Sequence, residues 1–137
     1  MLRFAAAVVT FALVTLGGAA VTATPAAAAI SPPSGCRYFT TDFGQTCYEW
    51  EGDDQWVRDL DANGWTTIVE VETNYGKFRE CDAPASADGW RECGYDHEEK
   101  KCVRFRLVER KGVSTNRISV WSLFYSTSTG NECGFDT

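Results

Sequence analysis

The only histidine of the chain, His97, lies in Gly94-Tyr95-Asp96-His97-Glu98-Glu99-Lys100-Lys101. Paired with Glu98 or Glu99 it would make a general acid–base couple. Arg104 and Arg106 follow on one strand face, and guanidinium groups there would suit a phosphate. That set describes a small secreted hydrolase or nuclease toxin. A lone histidine in a loop of alternating charge also describes a solvated turn, and an acidic chain opposes capture of a polyanion. There is no Gly-x-Ser-x-Gly elbow and no glycine-rich phosphate loop. The sequence therefore reads as non-enzymatic, with no catalytic residue nominated and the hydrolase kept as a second alternative.

A second pattern is Asp59-Leu60-Asp61-Ala62-Asn63-Gly64, with Glu70 at its twelfth position. It resembles the calcium loop of the EF-hand, where oxygen ligands at the first, third, fifth and twelfth positions wrap one Ca²⁺. The candidate ligands are Asp59, Asp61, Asn63 and Glu70. The resemblance covers these twelve residues and lacks the flanking helices. Trp65 to Thr73 reads as a strand along which Glu70 points away. The preferred reading is a hairpin turn built on Asn63-Gly64, with no cofactor and Ca²⁺ as the alternative.

The aromatic residues carry the functional expectation. Trp50, Trp56 and Trp65 stand beside Glu49, Glu51, Asp53, Asp54, Asp59 and Asp61. Indoles rimmed by carboxylates make a surface for a protein partner, and they also stack on sugar rings. The expected contact residues are Trp50, Trp56, Trp65, Asp53 and Asp54. The acidic side chains would steer a basic partner to the Trp56/Trp65 edge.

These groups need a scaffold, and the cysteines supply one. Cys36, Cys47, Cys81, Cys93, Cys102 and Cys133 are an even set behind an export-like segment, which implies three disulfides. Six cysteines allow about 15 pairings, which the sequence leaves open; pairing of sequence neighbours would give Cys36–Cys47, Cys81–Cys93 and Cys102–Cys133. The absence of Cys-x-x-Cys and the single histidine argue against a metal knot.

The export-like segment is residues 1–29: Arg3, an uncharged run from Phe4 to Val21, then small residues ending at Ala29. It reads as a cleaved signal peptide, with no membrane attachment after cleavage. Without it 108 of the 137 residues remain, with 12 basic and 19 acidic groups, a net charge of −7. That is one domain's worth of chain and a poor match to nucleic acid. Residues 30–35 form an extended proline-bearing arm, and 36–137 a single domain.

The texture of that domain is short strands and polar turns. Strands are expected at 36–41, 46–51, 55–60, 65–73, 77–81, 101–110 and 117–126. Thr67, Val69, Val71 and Thr73 fall on one face of their strand, with Ile68, Glu70 and Glu72 on the other. Val103-Arg104-Phe105-Arg106-Leu107 alternates apolar and basic, marking one dry and one wet face. Ile118 to Tyr125 is apolar on both faces and reads as a central strand. The fold class is all-β, a small antiparallel β-sandwich of about seven strands with three disulfides, a small barrel being the runner-up.

In size, export signal and disulfide density the chain is similar to secreted bacterial inhibitors and adaptor subunits, features that single out no family. The function expected is a secreted, acidic, non-catalytic protein-binding module. It would serve as an adaptor or subunit of an extracellular assembly, such as a toxin complex, or inhibit an extracellular enzyme. The alternative is a carbohydrate-binding domain, with or without calcium.

Overall fold

The computed structural model describes residues 30–134. The export-like segment lies outside the described residues.

Nine strands form two antiparallel sheets. The first holds β1 (Arg37–Thr40), β2 (Gly44–Glu49), β3 (Asp54–Asp59) and β6 (Trp90–Gly94) in that order. The second runs β5 (Phe78–Asp82), β4 (Thr66–Thr73), β7 (Cys102–Lys111) and β8 (Ser114–Ile118), and β9 (Tyr125–Ser126) also pairs with β7. Among the described residues a single 3₁₀ turn, Ser86–Asp88, precedes β6. The arrangement is the expected β-sandwich.

Side-chain alternation explains the layering. In β4, Thr67, Val69, Val71 and Thr73 face the core while Ile68, Glu70 and Glu72 face outward, as their spacing dictates. Its neighbour β7 places Val71 opposite Phe105 and Val69 opposite Leu107, all without solvent exposure. From the first sheet Tyr48, Val57 and Phe39 close the core. The two sheets thus share one interior of branched and aromatic side chains.

The bridges join Cys36 to Cys47, Cys81 to Cys93 and Cys102 to Cys133, with Cα separations of 5.7, 6.1 and 6.4 Å. Cys81 belongs to β5 and Cys93 to β6, so the second bond ties one sheet to the other. Each bond contributes on the order of 2 to 4 kcal/mol, chiefly by restricting the unfolded chain.

Three elements differ from the sequence reading, the first being β8, which begins at Ser114 in a stretch expected to be a turn. Residues 90–94 form an unexpected edge strand. The run from Ile118 to Tyr125 is not a central strand: it divides into β8, an irregular span from Ser119 to Phe124, and β9. That span lies along the outer edge of β7, where solvent covers one side.

Candidate functional site

The edge beside β7 owes its form to two serines. The Ser119 backbone N–H donates to the Leu107 carbonyl at 2.9 Å, and the Leu107 N–H donates to the Ser119 hydroxyl oxygen at 2.9 Å. Ser122 repeats the exchange with Phe105, at 2.8 and 2.9 Å. Each hydroxyl then donates to the carbonyl of the next residue, Val120 or Leu123, at 2.9 and 2.8 Å. Between the two exchanges the edge advances three residues while β7 advances two. A hydroxyl oxygen replaces a backbone carbonyl as acceptor, which is how serine competes with a regular ladder.

A three-residue period sorts the side chains into rows. Ser119 and Ser122 turn to β7. Trp121 and Phe124 lie over the outer face of the sheet, with Trp121 over the Arg104 and Arg106 guanidinium groups at 4.8 and 4.4 Å and Phe124 over Arg104 at 4.9 Å. Val120 and Leu123 project to solvent, 77% and 55% exposed, and Ile118 is 55% exposed. A groove of about 410 Å³ runs beside the row, lined by Ser122, Leu123, Phe124, Arg104 and Glu132 among others.

The floor under Trp121 is an ion-pair lattice. Arg104 pairs with Glu72, Arg106 and Arg110 with Glu70, and Arg110 also with Glu80. The Glu70 side chain is only 3% exposed, so its two arginines supply the charge compensation that burial demands. The face expected to be wet is therefore covered by its own arginines and by Trp121.

The acidic and aromatic residues singled out from the sequence scatter over several places. Trp56 and Asp54 share the outer face of the first sheet. Trp56 is 6% exposed, packs on the Cys36–Cys47 bridge, and donates its indole N–H to Glu49 at 3.1 Å. Trp50 packs against the core under Arg37 and against Gly130, where any Cβ would come within 2.2 Å of the indole and the backbone φ is +64°. Trp65 lines a groove at the β3–β4 turn. Asp53, at φ +57°, accepts the His97 backbone N–H at 3.2 Å. The sequence neighbourhood of these residues does not become one surface, because strand alternation and the turn at Asp53 send them in different directions.

The calcium-loop residues part company as well. Asn63 donates to Asp61 and to Glu109, the latter on the core side of β7, while Glu70 points to the opposite face toward Arg106 and Arg110. Asp61 is held by Arg117. The turn is not the expected hairpin either: β3 belongs to the first sheet and β4 to the second, so the turn carries the chain from one sheet to the other, and Glu70, the twelfth residue of the pattern, is spent on the arginine lattice. Carboxylates converge instead at Glu49, Asp54 and Glu92, one from each of three neighbouring strands, with oxygens within 4.8 Å of one another. Hard oxygen donors of this kind suit a divalent cation. Burial, followed by Glu92 and Glu49, pushes the Asp54 carboxyl up to about 6.

His97 is not in a solvated turn. It is 6% exposed, edge-on to Tyr48 and Tyr95 at 6.1 and 5.7 Å, and its Nδ1 lies 3.2 Å from the Tyr75 hydroxyl. Burial lowers its pKa, and Arg79 adds to that. Arg104 and Arg106 sit on the far side of β7, so the histidine and the arginines do not converge. Sequence reasoning missed Val120, Leu123, Trp121 and Phe124 as surface residues. The recurring Ser119-Val120 and Ser122-Leu123 pairs are the signal that would have found them.

Comparison of the chain with protein-family models, with curated proteins and with solved structures finds no match.

Proposed function

We propose that the chain is a secreted, non-catalytic protein-binding module, an adaptor or subunit of an extracellular assembly or an inhibitor of an extracellular enzyme. Residues 1–29 act as its export signal and leave after Ala29. Three disulfides in so small a domain fit an oxidising compartment. The contact surface in this reading is the edge from Ile118 to Phe124.

One observation carries it: Val120 and Leu123 stand exposed three residues apart on a chain segment fixed at both serines, with Ile118 exposed just before it. Large apolar side chains exposed close together on one surface segment mark an interaction site. A segment already ordered by hydrogen bonds loses little conformational freedom when a partner covers it. Trp121 and Phe124 border the row and add aromatic area, the residue type that dominates interface energies.

The test is co-purification from the native secretion medium, with the wild type and the Val120→Asp, Leu123→Asp double variant side by side. The wild type brings a stoichiometric protein. The variant loses it while its thermal stability stays within about 0.5 kcal/mol, as for surface changes. A wild-type chain that emerges alone, or a partner that the variant retains, overturns the reading.

A further inference from the structure

We propose a saccharide-binding site in the groove between the β3–β4 turn and the β5–β6 connection, where Trp65 stacks on a neutral sugar ring and Asp59 and Asp61 accept its hydroxyls. The groove has a volume of about 400 Å³ and is lined by Asp59, Asp61, Trp65, Thr66, Pro84 and Ser86, with small residues between them. A volume of that order holds a small organic ligand.

Its polar atoms are of the right kinds. Asp59 uses Oδ1 to accept the Asp61 N–H at 2.9 Å, and Asp61 uses Oδ2 for Asn63 and Arg117. Asp59 Oδ2, Asp61 Oδ1, the Thr66 and Ser86 hydroxyls and the Trp65 indole N–H bond to no other described residue. The groove thus offers two carboxylate acceptors, two hydroxyls that donate or accept, one N–H donor and an aromatic surface. Sugar hydroxyls also donate and accept, and the C–H face of the ring is apolar.

The same atoms limit what binds. Arg117 already supplies a counter-ion to Asp61, so a cationic side chain finds one free carboxylate and leaves the hydroxyls and the indole N–H unused. Uronates and sulfated sugars meet the repulsion of Asp59. Calcium is not needed, because Arg117 occupies the place beside Asp61 that a cation would take.

The site is also held in shape. Glu109, fully buried, accepts hydrogen bonds from Asn63, Asn116 and Arg117, and Asn63 Oδ1 accepts the Trp65 N–H at 2.9 Å. The Trp65 backbone and the Asp61 carboxylate are therefore tied to the buried Glu109, which lowers the backbone entropy lost on binding.

The experiment is calorimetric titration of the intact, oxidised protein with glucose-, galactose- and mannose-based oligosaccharides in buffer containing EDTA. At least one series binds, and the Trp65 indole N–H resonance of the unmodified protein shifts on its addition. Trp65→Ala and Asp59→Asn each weaken that binding by roughly tenfold or more, and Trp65→Phe retains most of it. The Val120→Asp, Leu123→Asp variant binds the sugar as the wild type does, which keeps this site separate from the protein-contact edge. The proposal falls if no neutral oligosaccharide binds, if both groove variants bind like the wild type, or if a lysine- or arginine-bearing peptide shifts Trp65 and no sugar does.

Discussion

The outer faces of the two sheets solve the same electrostatic problem in opposite ways. On the second sheet Glu70, Glu72 and Glu80 each meet an arginine from β7, and Trp121 covers two of those arginines. On the first sheet Glu49, Asp54 and Glu92 crowd together, and among the described residues no ion pair reaches them. The paired face sets two guanidinium groups against its buried carboxylate. The crowded face holds one of its three carboxyls protonated well above the usual range. Charge placement across strands, rather than charge count, separates the two.

The largest effect should come from breaking the paired face. Glu70→Ala leaves Arg106 and Arg110 without their shared partner and should cost about 3 kcal/mol in denaturant unfolding, the low end for a broken buried pair because both arginines still reach water. A cost below that of an exposed ion pair, about 1 kcal/mol, would erase the contrast between the faces.

Relieving the crowded face works in the other direction. Asp54→Asn should stabilise the protein at pH 7 by up to about 1 kcal/mol, after allowance for the solvent that reaches this carboxyl. The folded carboxyl keeps its proton to about 6, whereas the unfolded one releases it near 3.8. The folded state therefore binds more protons between those values, and the contribution of Asp54 is complete below 3.8 and lost as pH rises through 6. The advantage of Asp54→Asn should grow between pH 3.8 and about 6, hold above that and vanish below 3.8 in thermal melts. Glu109 runs the opposite way, since the Arg117 hydrogen bond leads in holding its carboxyl down to about 2. Its contribution is present above 4.5 and fades as pH falls through 2, so Glu109→Gln should converge on the wild type only in strong acid.

The smallest effect sharpens the comparison. Trp121→Ala removes the ring over Arg104 and Arg106 and should cost about 1 kcal/mol. It also opens the lattice to solvent, so the loss should grow with added salt. A loss that is independent of salt would mean that Trp121 contributes packing alone.

How much of this was written in the sequence depends on the period in which it was written. The alternation in Thr67–Thr73 and Val103–Leu107 is a period of two, the period of a strand, and it predicts both layers of the second sheet. Of the cysteine pairs, Cys36–Cys47 was equally readable because the β1–β2 hairpin brings it together, whereas Cys81–Cys93 depends on how the two sheets stack and Cys102–Cys133 on where the C-terminal stretch returns to β7. Ser119–Phe124 is written in a period of three. Read in twos it places apolar groups on both faces and suggests burial, whereas in threes it separates serine, aromatic and exposed aliphatic rows. Trp90–Gly94 escaped notice because an edge strand carrying Arg91 and Glu92 has no apolar alternation of its own. The carboxylate cluster could not be read at all, since residues 49, 54 and 92 become neighbours only through strand register. Trp65, Asp59 and Asp61 were visible as candidates, but their common groove depends on Pro84 and Ser86 arriving from another connection.

The three-for-two step beside β7 has a consequence for the molecule in a crowded medium. An open sheet edge with exposed valine and leucine would ordinarily invite a second strand, and then a third, toward a fibre. A regular strand laid along Ile118–Phe124 falls out of step after one repeat, because its amides come every two residues and the serine-bonded edge answers every three. The edge can offer its side chains to a shaped partner and still refuse to act as a template for copies of itself.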